Sequence, residues 1–310
     1  MSRDEKLENK VILITGGTGY LGSHLAFALA NYNTKLIVIK RKNSSIDRLQ
    51  NILNKIIFYD VESIDVEALF KLHAPDVVIN CMVNYSDNPK DFTEIINTNL
   101  FFPTKLLQCC VNSKKKLIFV NADTTLNRKI NAYALSKKQF LEWGKFLAKY
   151  SLFFNVCLDH FYGPHDQHFK FYVKLIHNLL SKVDSIDLTS GEQKRDFTYI
   201  DDVVNAFIAI IKHAISLYPN VGFHNVEVGS GNVVTIRALA SLIKEITKNT
   251  NTALNFGALP YRLHEQMECT ICSDKLRSYG WAPKYTLEQG LRKTISAEIK
   301  NRNEGKLCDT

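Results

Sequence analysis

The chain has 310 residues, which is long enough to bury a large core as one big or two smaller domains. With 45% hydrophobic residues and no apolar stretch as long as a membrane span, it is predicted to be an ordinary globular protein without a membrane partner. Its formal net charge of +8 suits acidic ligands such as nucleotides. The basic clusters at 40–42 and 114–116 are short and lack interleaved aromatic residues, so we expect no nucleic-acid partner.

The N-terminal residues, MSRDEKLENK, are charged and lack the apolar segment of a secretory signal. The seven cysteines are an odd number without the spacing of metal ligands, and Cys109 and Cys110 are adjacent. We therefore expect reduced thiols, a cytoplasmic protein and no metal site.

In the first half of the chain, apolar runs alternate with helical patterns. The runs at 11–14, 36–39, 56–58, 77–80, 117–120 and 153–158 predict buried strands, and the patterns at 21–31, 65–73, 93–112 and 132–150 predict helices. This βαβ rhythm predicts an α/β fold with a Rossmann-type doubly wound parallel sheet.

A glycine-rich segment, TGGTGYLG, directly follows the first predicted strand. Gly16 permits a tight turn, Gly19 lets the backbone approach a pyrophosphate, and Gly22 lets the next helix pack on the sheet. The N-terminus of that helix would present N–H groups and a partial positive charge to a phosphate. The strand–loop–helix context favours a dinucleotide site over a glycine-rich turn without a ligand.

Three consecutive cations, Lys40, Arg41 and Lys42, follow the second predicted strand, where an acidic side chain would select NAD. No acid is present there, and three cations would attract the additional phosphate of NADP. We predict NADPH as the cofactor, with Arg41 as its main contact; an ordinary basic loop is the alternative.

Tyr133 and Lys137 are four residues apart in the helix predicted at 132–150, so they share one face. An ammonium near a phenol favours the phenolate and lowers the phenol pKa from about 10. The pair predicts a tyrosine general acid or base that a lysine tunes, although the same spacing is common on protein surfaces.

After Phe161-Tyr-Gly-Pro164 the rhythm changes, and helical patterns at 168–182, 201–216 and 235–248 are separated by short strands and turns. We interpret this half as a smaller lobe over the carboxyl ends of the strands, where such sheets bind ligands. We expect an NADP-binding domain over 1–160, with returning segments near 201–226 and 268–272, and a mainly substrate-binding lobe over 161–310.

Further motifs accompany the glycine loop and the tyrosine–lysine pair: Asp60-Val61, Asn99, Tyr162-Gly-Pro164, Arg195-Asp-Phe197 with Asp201-Asp202, and Ser273-Asp274. With them the chain resembles the extended short-chain dehydrogenase/reductase family, also called the NAD-dependent epimerase/dehydratase family, over nearly its full length. The segments 119–124, 191–197 and 256–260 are most similar to nucleotide-sugar 4-ketoreductases, such as the CDP-abequose and CDP-paratose synthases of bacterial O-antigen pathways.

The resemblance implies NADPH-dependent reduction of the 4-keto group of a nucleotide-linked 4-keto-deoxy sugar, for bacterial surface polysaccharide such as lipopolysaccharide O-antigen or capsule. It implies that Tyr133 protonates the keto oxygen, and that Lys137 also holds the nicotinamide ribose. The implied cofactor contacts are Gly16, Thr18, Gly19, Tyr20, Leu21, Gly22, Lys40, Arg41, Lys42, Asp60, Val61, Cys81, Met82, Asn99, Tyr133 and Lys137. The implied substrate contacts are Asn84, Tyr85, His160, Lys170, Arg195 on the diphosphate, and Arg262 and Glu265 on the nucleotide.

One position departs from the family pattern. The family has a Ser or Thr at the end of the fifth strand, hydrogen-bonded to the reacting oxygen, and the aligned residue here is Ala122. We expect Thr124 to be the replacement hydroxyl; Asn121, Asp123 or a site with a single donor are the alternatives. The family's dehydratases carry an Asp-Glu pair here, whereas Thr124 follows Asp123, which makes dehydration less favoured.

Two other functions remain open. An NDP-sugar 4-epimerase would keep NAD bound and return the hydride to the same sugar, whereas a net reductase must exchange its cofactor, which the basic triplet favours. A redox sensor or RNA-binding protein would keep the fold without turnover, but it would need neither Tyr133 nor Lys137.

The resemblance also implies a homodimer, in which the helices at 93–112 and 132–150 form a four-helix bundle across a two-fold axis. Apolar stripes on these helices permit such a bundle, or could equally be intramolecular core. They consist of Leu100, Thr104, Leu107 and Val111 on the first helix, and of Phe140, Trp143 and Leu147 on the second.

Overall fold

The computed structural model describes residues 5–86 and 89–304. Its strands are β1 (Val11–Thr15), β2 (Lys35–Lys40), β3 (Ile56–Asp60), β4 (Val77–Asn80), β5 (Ile118–Thr124), β6 (Leu152–Leu158), β7 (His160–Tyr162), β8 (Ser185–Leu188), β9 (Lys194–Tyr199), β10 (Gly222–Val228), β11 (Val233–Thr235) and β12 (Ala253–Phe256). Its helices are α1 (Tyr20–Leu29), α2 (Val66–His73), α3 (Phe92–Ile96), α4 (Phe102–Asn112), α5 (Ala132–Leu147), α6 (Phe171–Leu180), α7 (Ile200–Leu217), α8 (Ile236–Ile246), α9 (Asp274–Ser278) and α10 (Leu287–Asn303).

Seven parallel strands form the main sheet, in the order β10-β6-β5-β4-β1-β2-β3. This order confirms the predicted α/β doubly wound sheet. The central strands β4 and β6 are buried along their whole length, as parallel strands covered on both faces should be. The edge strand β10 was not predicted, because its sequence, GFHNVEV, mixes polar with apolar residues and is only partly buried.

An aromatic cluster anchors α5 on the sheet. Phe119 of β5 and Phe153 of β6 stack with ring centroids 5.3 Å apart, and Phe140 of α5 lies 5.8 and 6.0 Å from them. All three side chains are fully buried, and each buried phenylalanine contributes about 1.5–3 kcal/mol. The cluster therefore holds α5 in a defined position over the amino-terminal halves of β5 and β6.

The helix predicted at 93–112 is in fact divided. A turn of π-helix over Asn97–Phe101 separates α3 from α4, because one extra residue is accommodated in the helical path. Between β2 and β3, where no helix was predicted, Asp47–Lys55 form 3₁₀ turns. Shorter 3₁₀ turns occupy Glu5–Leu7, Ala30–Tyr32 and Pro89–Asp91.

Within the described residues, the chain forms two compact units. The first comprises 5–158, 204–228 and 274–281, and the second comprises 159–203, 229–273 and 282–304. The second returning segment thus differs from the expectation of 268–272, because Leu276 and Trp281 are buried and Tyr279 stacks on His213 of α7 at 3.8 Å.

The second unit contains two small sheets: β11-β9-β7, in which β11 is antiparallel to β9, and the parallel pair β12-β8. The helices α6, α8 and α10 belong to it. Over residues 5–86 and 89–304, no helix has the length and apolar character needed to cross a membrane.

Candidate active site

The loop between β1 and α1 is a tight backbone cradle. Gly16 has a φ of +67°, and a Cβ atom on Gly22 would lie 2.3 Å from the carbonyl oxygen of Gly16. Gly19 occupies the N-cap of α1 and has no side chain that could satisfy the first N–H groups of the helix. The cradle fits a pyrophosphate, since its backbone N–H groups and the helix dipole favour an anion. Thr18 is half-buried in the same loop.

The side chains of Tyr20 and Leu21, two implied cofactor contacts at the start of α1, are buried. Their backbone N–H groups lie in the first turn of α1, directly after the glycine loop. Arg48, from the 3₁₀ turns after β2, lies with its guanidinium carbon 5.9 Å from the centroid of the Tyr20 ring. This cation near the start of α1 was not singled out from the sequence.

The three cations after β2 do not share one role. The ammonium of Lys40 donates to Asp60 over 2.8 Å and also to the carbonyl oxygens of Arg41 and Lys42. The N–H of Val61 donates to the carbonyl of Lys40 over 2.8 Å. Lys40, Asp60 and Val61 thus shape the loop, and the exposed side chains of Arg41 and Lys42 are left to meet a phosphate.

The segment after β4 lies directly against the glycine loop. A Cβ atom on Gly16 would come within 2.8 Å of the backbone of Cys81 and Met82. The N–H of Cys81 donates to the carbonyl of Thr15 over 3.1 Å. The structure therefore brings these two implied cofactor contacts to the dinucleotide cradle.

Asn99, in the π-helical turn, holds the same segment from the other side. Its Oδ1 accepts from the N–H of Asn84 over 2.7 Å, and its Nδ2 donates to the Asn84 carbonyl and the Ser136 hydroxyl over 2.9 and 3.0 Å. Ser136 in turn donates to the carbonyl of Tyr133 over 2.8 Å. The Asn99 side chain thus ties the segment after β4 to the first turn of α5.

Tyr133 lies in that first turn, which Asn131 caps by accepting from Ala134 N–H over 2.8 Å. The Tyr133 ring contacts the ring of Tyr85, with centroids 4.7 Å apart. Burial raises the pKa of Tyr133 well above 10, and the nearby Tyr85 and Asp123 raise it further, whereas hydrogen bonding to Thr124 lowers it. The phenol is therefore protonated near neutral pH.

Burial has the largest effect on the Tyr133 pKa and raises it, which is opposite to the direction expected from Lys137. Burial also lowers the pKa of Lys137 itself, and the negative charge of Asp123 opposes that shift. The side chain of Lys137 is buried, and its ammonium donates no hydrogen bond to residues 5–86 or 89–304. It is therefore able to bind an additional acceptor.

Thr124, the predicted replacement hydroxyl, lies beside Tyr133. Its Oγ1 accepts from the N–H of Leu126 over 3.2 Å, which leaves the O–H free to donate to the phenol oxygen. This geometry favours the charged form of Tyr133 once its proton has left.

Asp123 is a buried carboxylate that precedes Thr124 in β5. Its side chain is 0% exposed, and it accepts from Thr124 N–H over 2.7 Å, from Asn155 Nδ2 over 2.9 Å and from Lys138 Nζ over 3.1 Å. Lys138 also donates to the carbonyl of Thr124. Lys138 was not singled out from the sequence, and Asp123 was considered only as a substitute hydrogen-bond donor.

A row of hydrogen-bonded side chains, which we call the asparagine row, crosses five strands of the sheet, at the last residue of β1 and β4 and at the middle residue of β5, β6 and β10. It consists of Thr15, Asn80, Asn121, Asn155 and Asn225, which are register partners on β1, β4, β5, β6 and β10. Each donates to the next over 2.7–3.0 Å. The recurrence of asparagine at the end of an apolar run, in VVIN, IFVN and LFFN, was the available sequence signal.

The implied substrate contacts of the second unit form a separate set. Arg195 pairs with Glu265 and donates to the carbonyl oxygens of Lys194 and Gln266 over 2.7 and 2.6 Å. Arg262 is exposed. The guanidinium of Arg195 is thus already held by a carboxylate, which was not foreseen.

His160 and Lys170 lie in the same unit. Nδ1 of His160 is 2.9 Å from Oδ1 of Asp159, and Nζ of Lys170 lies 5.5 Å from the centroid of the Phe161 ring. Within the described residues, neither side chain pairs with Arg195. Among residues 5–86 and 89–304, no group of three or more His, Cys, Asp or Glu side chains could hold a metal ion.

Comparison with known proteins gives consistent relatives. A model of the NAD dependent epimerase/dehydratase family matches residues 12–222. The chain is 30% identical to a CDP-abequose synthase of Salmonella muenchen, over 93% of this chain and 98% of the relative. It is 27% identical to a dTDP-D-glucose 4,6-dehydratase of Mus musculus, over 94% of this chain and 89% of the relative.

A solved structure shows the same fold. The UDP-glucose 4-epimerase of Thermotoga maritima, determined with UDP-glucose, superposes with a TM-score of 0.79. It is 22% identical and covers 94% of this chain and 99% of its own. The likeness concerns the fold alone.

Proposed function

The chain belongs to the NAD-dependent epimerase/dehydratase family, and from this premise we propose that it reduces the 4-keto group of a nucleotide-linked 4-keto-deoxy sugar with NADPH. The observation that carries the proposal is the charge at the end of β2. Lys40 neutralises Asp60, while Arg41 and Lys42 present their cations to solvent. Such a site attracts the additional phosphate of NADPH, which a net reductase must bind and release at every turnover.

The protonation state of Tyr133 supports reduction. A bound NADPH supplies hydride to the carbonyl carbon. Tyr133 then supplies the proton to the carbonyl oxygen, and its raised pKa keeps that proton in place near neutral pH. Thr124 donates to the phenolate that remains, and Lys137 would hold the nicotinamide ribose through its unengaged ammonium.

The environment of Asp123 argues against dehydration, the activity named for one of the relatives. Its carboxylate already accepts from Thr124, Asn155 and Lys138, and its side chain is 0% exposed. A carboxylate held in this way is not available as a proton donor to a sugar. The relatives named CDP-abequose synthase favour a sugar of bacterial surface polysaccharide, in O-antigen or capsule, as the product.

The test is NADPH oxidation, followed at the nicotinamide absorbance, with a panel of NDP-4-keto-6-deoxy sugars generated in situ by their dehydratases. We expect turnover with one member, which would also identify the nucleotide. No turnover across the panel, together with stoichiometric NAD released from the denatured protein, would instead indicate a 4-epimerase.

The cofactor assignment has its own test. Arg41→Glu should reduce the preference for NADPH over NADH by about tenfold or more, because a charge-assisted contact to the phosphate is replaced by repulsion. Lys300→Met, which removes a cation with 75% of its side chain exposed on α10, is the control. An unchanged ratio of kcat/KM values in the Arg41 variant would overturn the assignment.

We also propose that the protein is a homodimer through the outer face of α3, α4 and α5. The predicted stripes are largely intramolecular, since Leu107, Phe140 and Leu147 are buried in the core. Of the predicted residues, Trp143 is exposed, and it is joined on this face by Phe92, Ile96, Phe101, Leu135 and Phe146, with Phe101 66% and Phe146 60% exposed. Such an apolar face is typical of a protein interface. Light scattering should give a dimer mass, and Phe101→Glu with Phe146→Glu should give a monomer.

A further inference from the structure

Both backbone polar groups of Thr124 are hydrogen-bonded to charged side chains. Asp123 accepts from its N–H over 2.7 Å, and Lys138 donates to its carbonyl oxygen. The same ammonium lies 3.1 Å from Oδ2 of Asp123, so one cation joins both anchors. The hydroxyl of Thr124 is oriented in turn, because it accepts from Leu126 N–H.

Lys138 lies within α5, and its side chain extends to Asp123 and Thr124 of β5. It follows Lys137 directly, but only 18% of its side chain is exposed, because the ammonium is turned inward to Asp123. A buried carboxylate needs such a partner, since an unpaired charge in the interior is strongly unfavourable. Asn155, a member of the asparagine row, supplies the third hydrogen bond to the carboxylate.

We propose that Lys138 is a positioning residue, which together with Asp123 holds the Thr124 hydroxyl against Tyr133. The proposal rests on the proposed function, in which Tyr133 is the proton donor. It assigns to a residue outside the tyrosine–lysine pair the task of fixing the hydroxyl that takes the place of the one missing at Ala122. The ammonium of Lys138 is directed to Asp123 and to the Thr124 carbonyl, so Lys138 acts through Thr124.

The first test is a double-mutant cycle. Lys138→Met should lower kcat about 100-fold with KM changed less than threefold, since a small misplacement of a catalytic group has an effect of this order. Lys138→Arg should recover most of that loss. In a Thr124→Ala background, Lys138→Met should lower kcat less than about threefold, because the hydroxyl that Lys138 positions is already absent. Independent, multiplicative losses would overturn the proposal.

A second variant separates positioning from charge compensation. Asp123→Asn with Lys138→Met removes both charges, so it should fold even where the single Lys138 change leaves an unpaired carboxylate. We expect a stable protein whose kcat remains at least 10-fold low, because the carbonyl of Thr124 is no longer held. A kcat within threefold of the unmodified protein would show that Lys138 only neutralises Asp123.

The third readout does not depend on turnover. Amide hydrogen exchange in the full protein should become faster at Thr124–Leu126 in the double variant, and remain unchanged in β4 and α2. Lys300→Met should leave all of these segments unchanged. Unchanged exchange at Thr124–Leu126 would overturn the positioning role, whereas failure of the sugar panel with faster exchange would overturn only the proposed reaction.

Discussion

Polar side chains around Tyr133 in the first unit and around Arg195 in the second unit are held in different ways. The first group uses short, buried side chains. The side chain of Asp123 is 0% exposed, and so are the residues Asn121 and Asn155. The second group uses long charged side chains, in which Arg195 and Glu265 pair with 11% and 19% of their side chains exposed. The Lys194–Glu268 pair is more exposed still, at 48% and 67%.

The difference indicates separate tasks for the two groups. A buried network of amides and a carboxylate has few alternative arrangements, because each lost hydrogen bond leaves a polar group unsatisfied. Long, partly exposed cations can exchange partners at little cost. The first group is therefore suited to fixing a reacting geometry, and the second to binding a charged ligand that replaces existing partners.

Tyr133→Phe should have the largest effect, and this effect should fall on kcat and not on NADPH binding. The ring and its contact with Tyr85 remain while the proton donor is lost, so we expect kcat to fall about 1000-fold. NADPH binding, measured by fluorescence titration, should change little. Tyr150→Phe, at an exposed position just after α5, is the control. A kcat reduced less than about threefold by Tyr133→Phe would contradict the assignment of the donor.

A substitution in the asparagine row should lower the free energy of unfolding. Asn121→Leu leaves Asn80 Nδ2 without its acceptor and Asn155 Oδ1 without its donor, and together these should cost about 3 kcal/mol in the free energy of unfolding. Urea denaturation measures this loss. Asn112→Leu, in the exposed Gln108–Asn112 pair, should change stability by less than about 0.5 kcal/mol. Equal effects at the two positions would show that the buried hydrogen bonds of the asparagine row contribute no more to stability than an exposed pair does.

A substitution of Arg195 should weaken binding of the nucleotide sugar. Arg195→Met should raise KM for the nucleotide sugar about 10–100-fold with kcat nearly unchanged, the signature of a lost contact made equally before and during reaction. Because this change leaves Glu265 unpaired, Arg195→Met with Glu265→Gln is the matched comparison. A large fall in kcat with constant KM would place Arg195 in the chemistry instead.

The smallest expected effect is a displacement of the pH profile. Asp123 raises the pKa of both Lys137 and Tyr133, and both groups must be protonated for the proposed reaction. Activity is therefore present below these pKa values and lost as pH rises through them. Asp123→Asn lowers both, so the alkaline limb of kcat should move to lower pH. A limb that stays in place would show that the charge of Asp123 does not act on this pair.

The parallel sheet, the glycine cradle and the tyrosine–lysine pair could be predicted from the sequence alone. These features depend on local rules: apolar runs form buried strands, Gly16 and Gly22 satisfy a backbone with no room for a side chain, and residues four apart share a helix face. The family followed from the same motifs, because their order along the chain is distinctive.

Which polar groups meet could not be predicted from the sequence, because it depends on how the elements pack. The sequence did not show that Lys40 and Arg41 have different roles. The ion pair of Lys40 with Asp60 depends on the register of β2 with β3. The convergence of Lys138, Asp123 and Asn155 depends on the docking of α5 on β5 and β6. Such contacts join positions 15 to 32 residues apart, and the free energy of burial that brings them together is a property of the whole core.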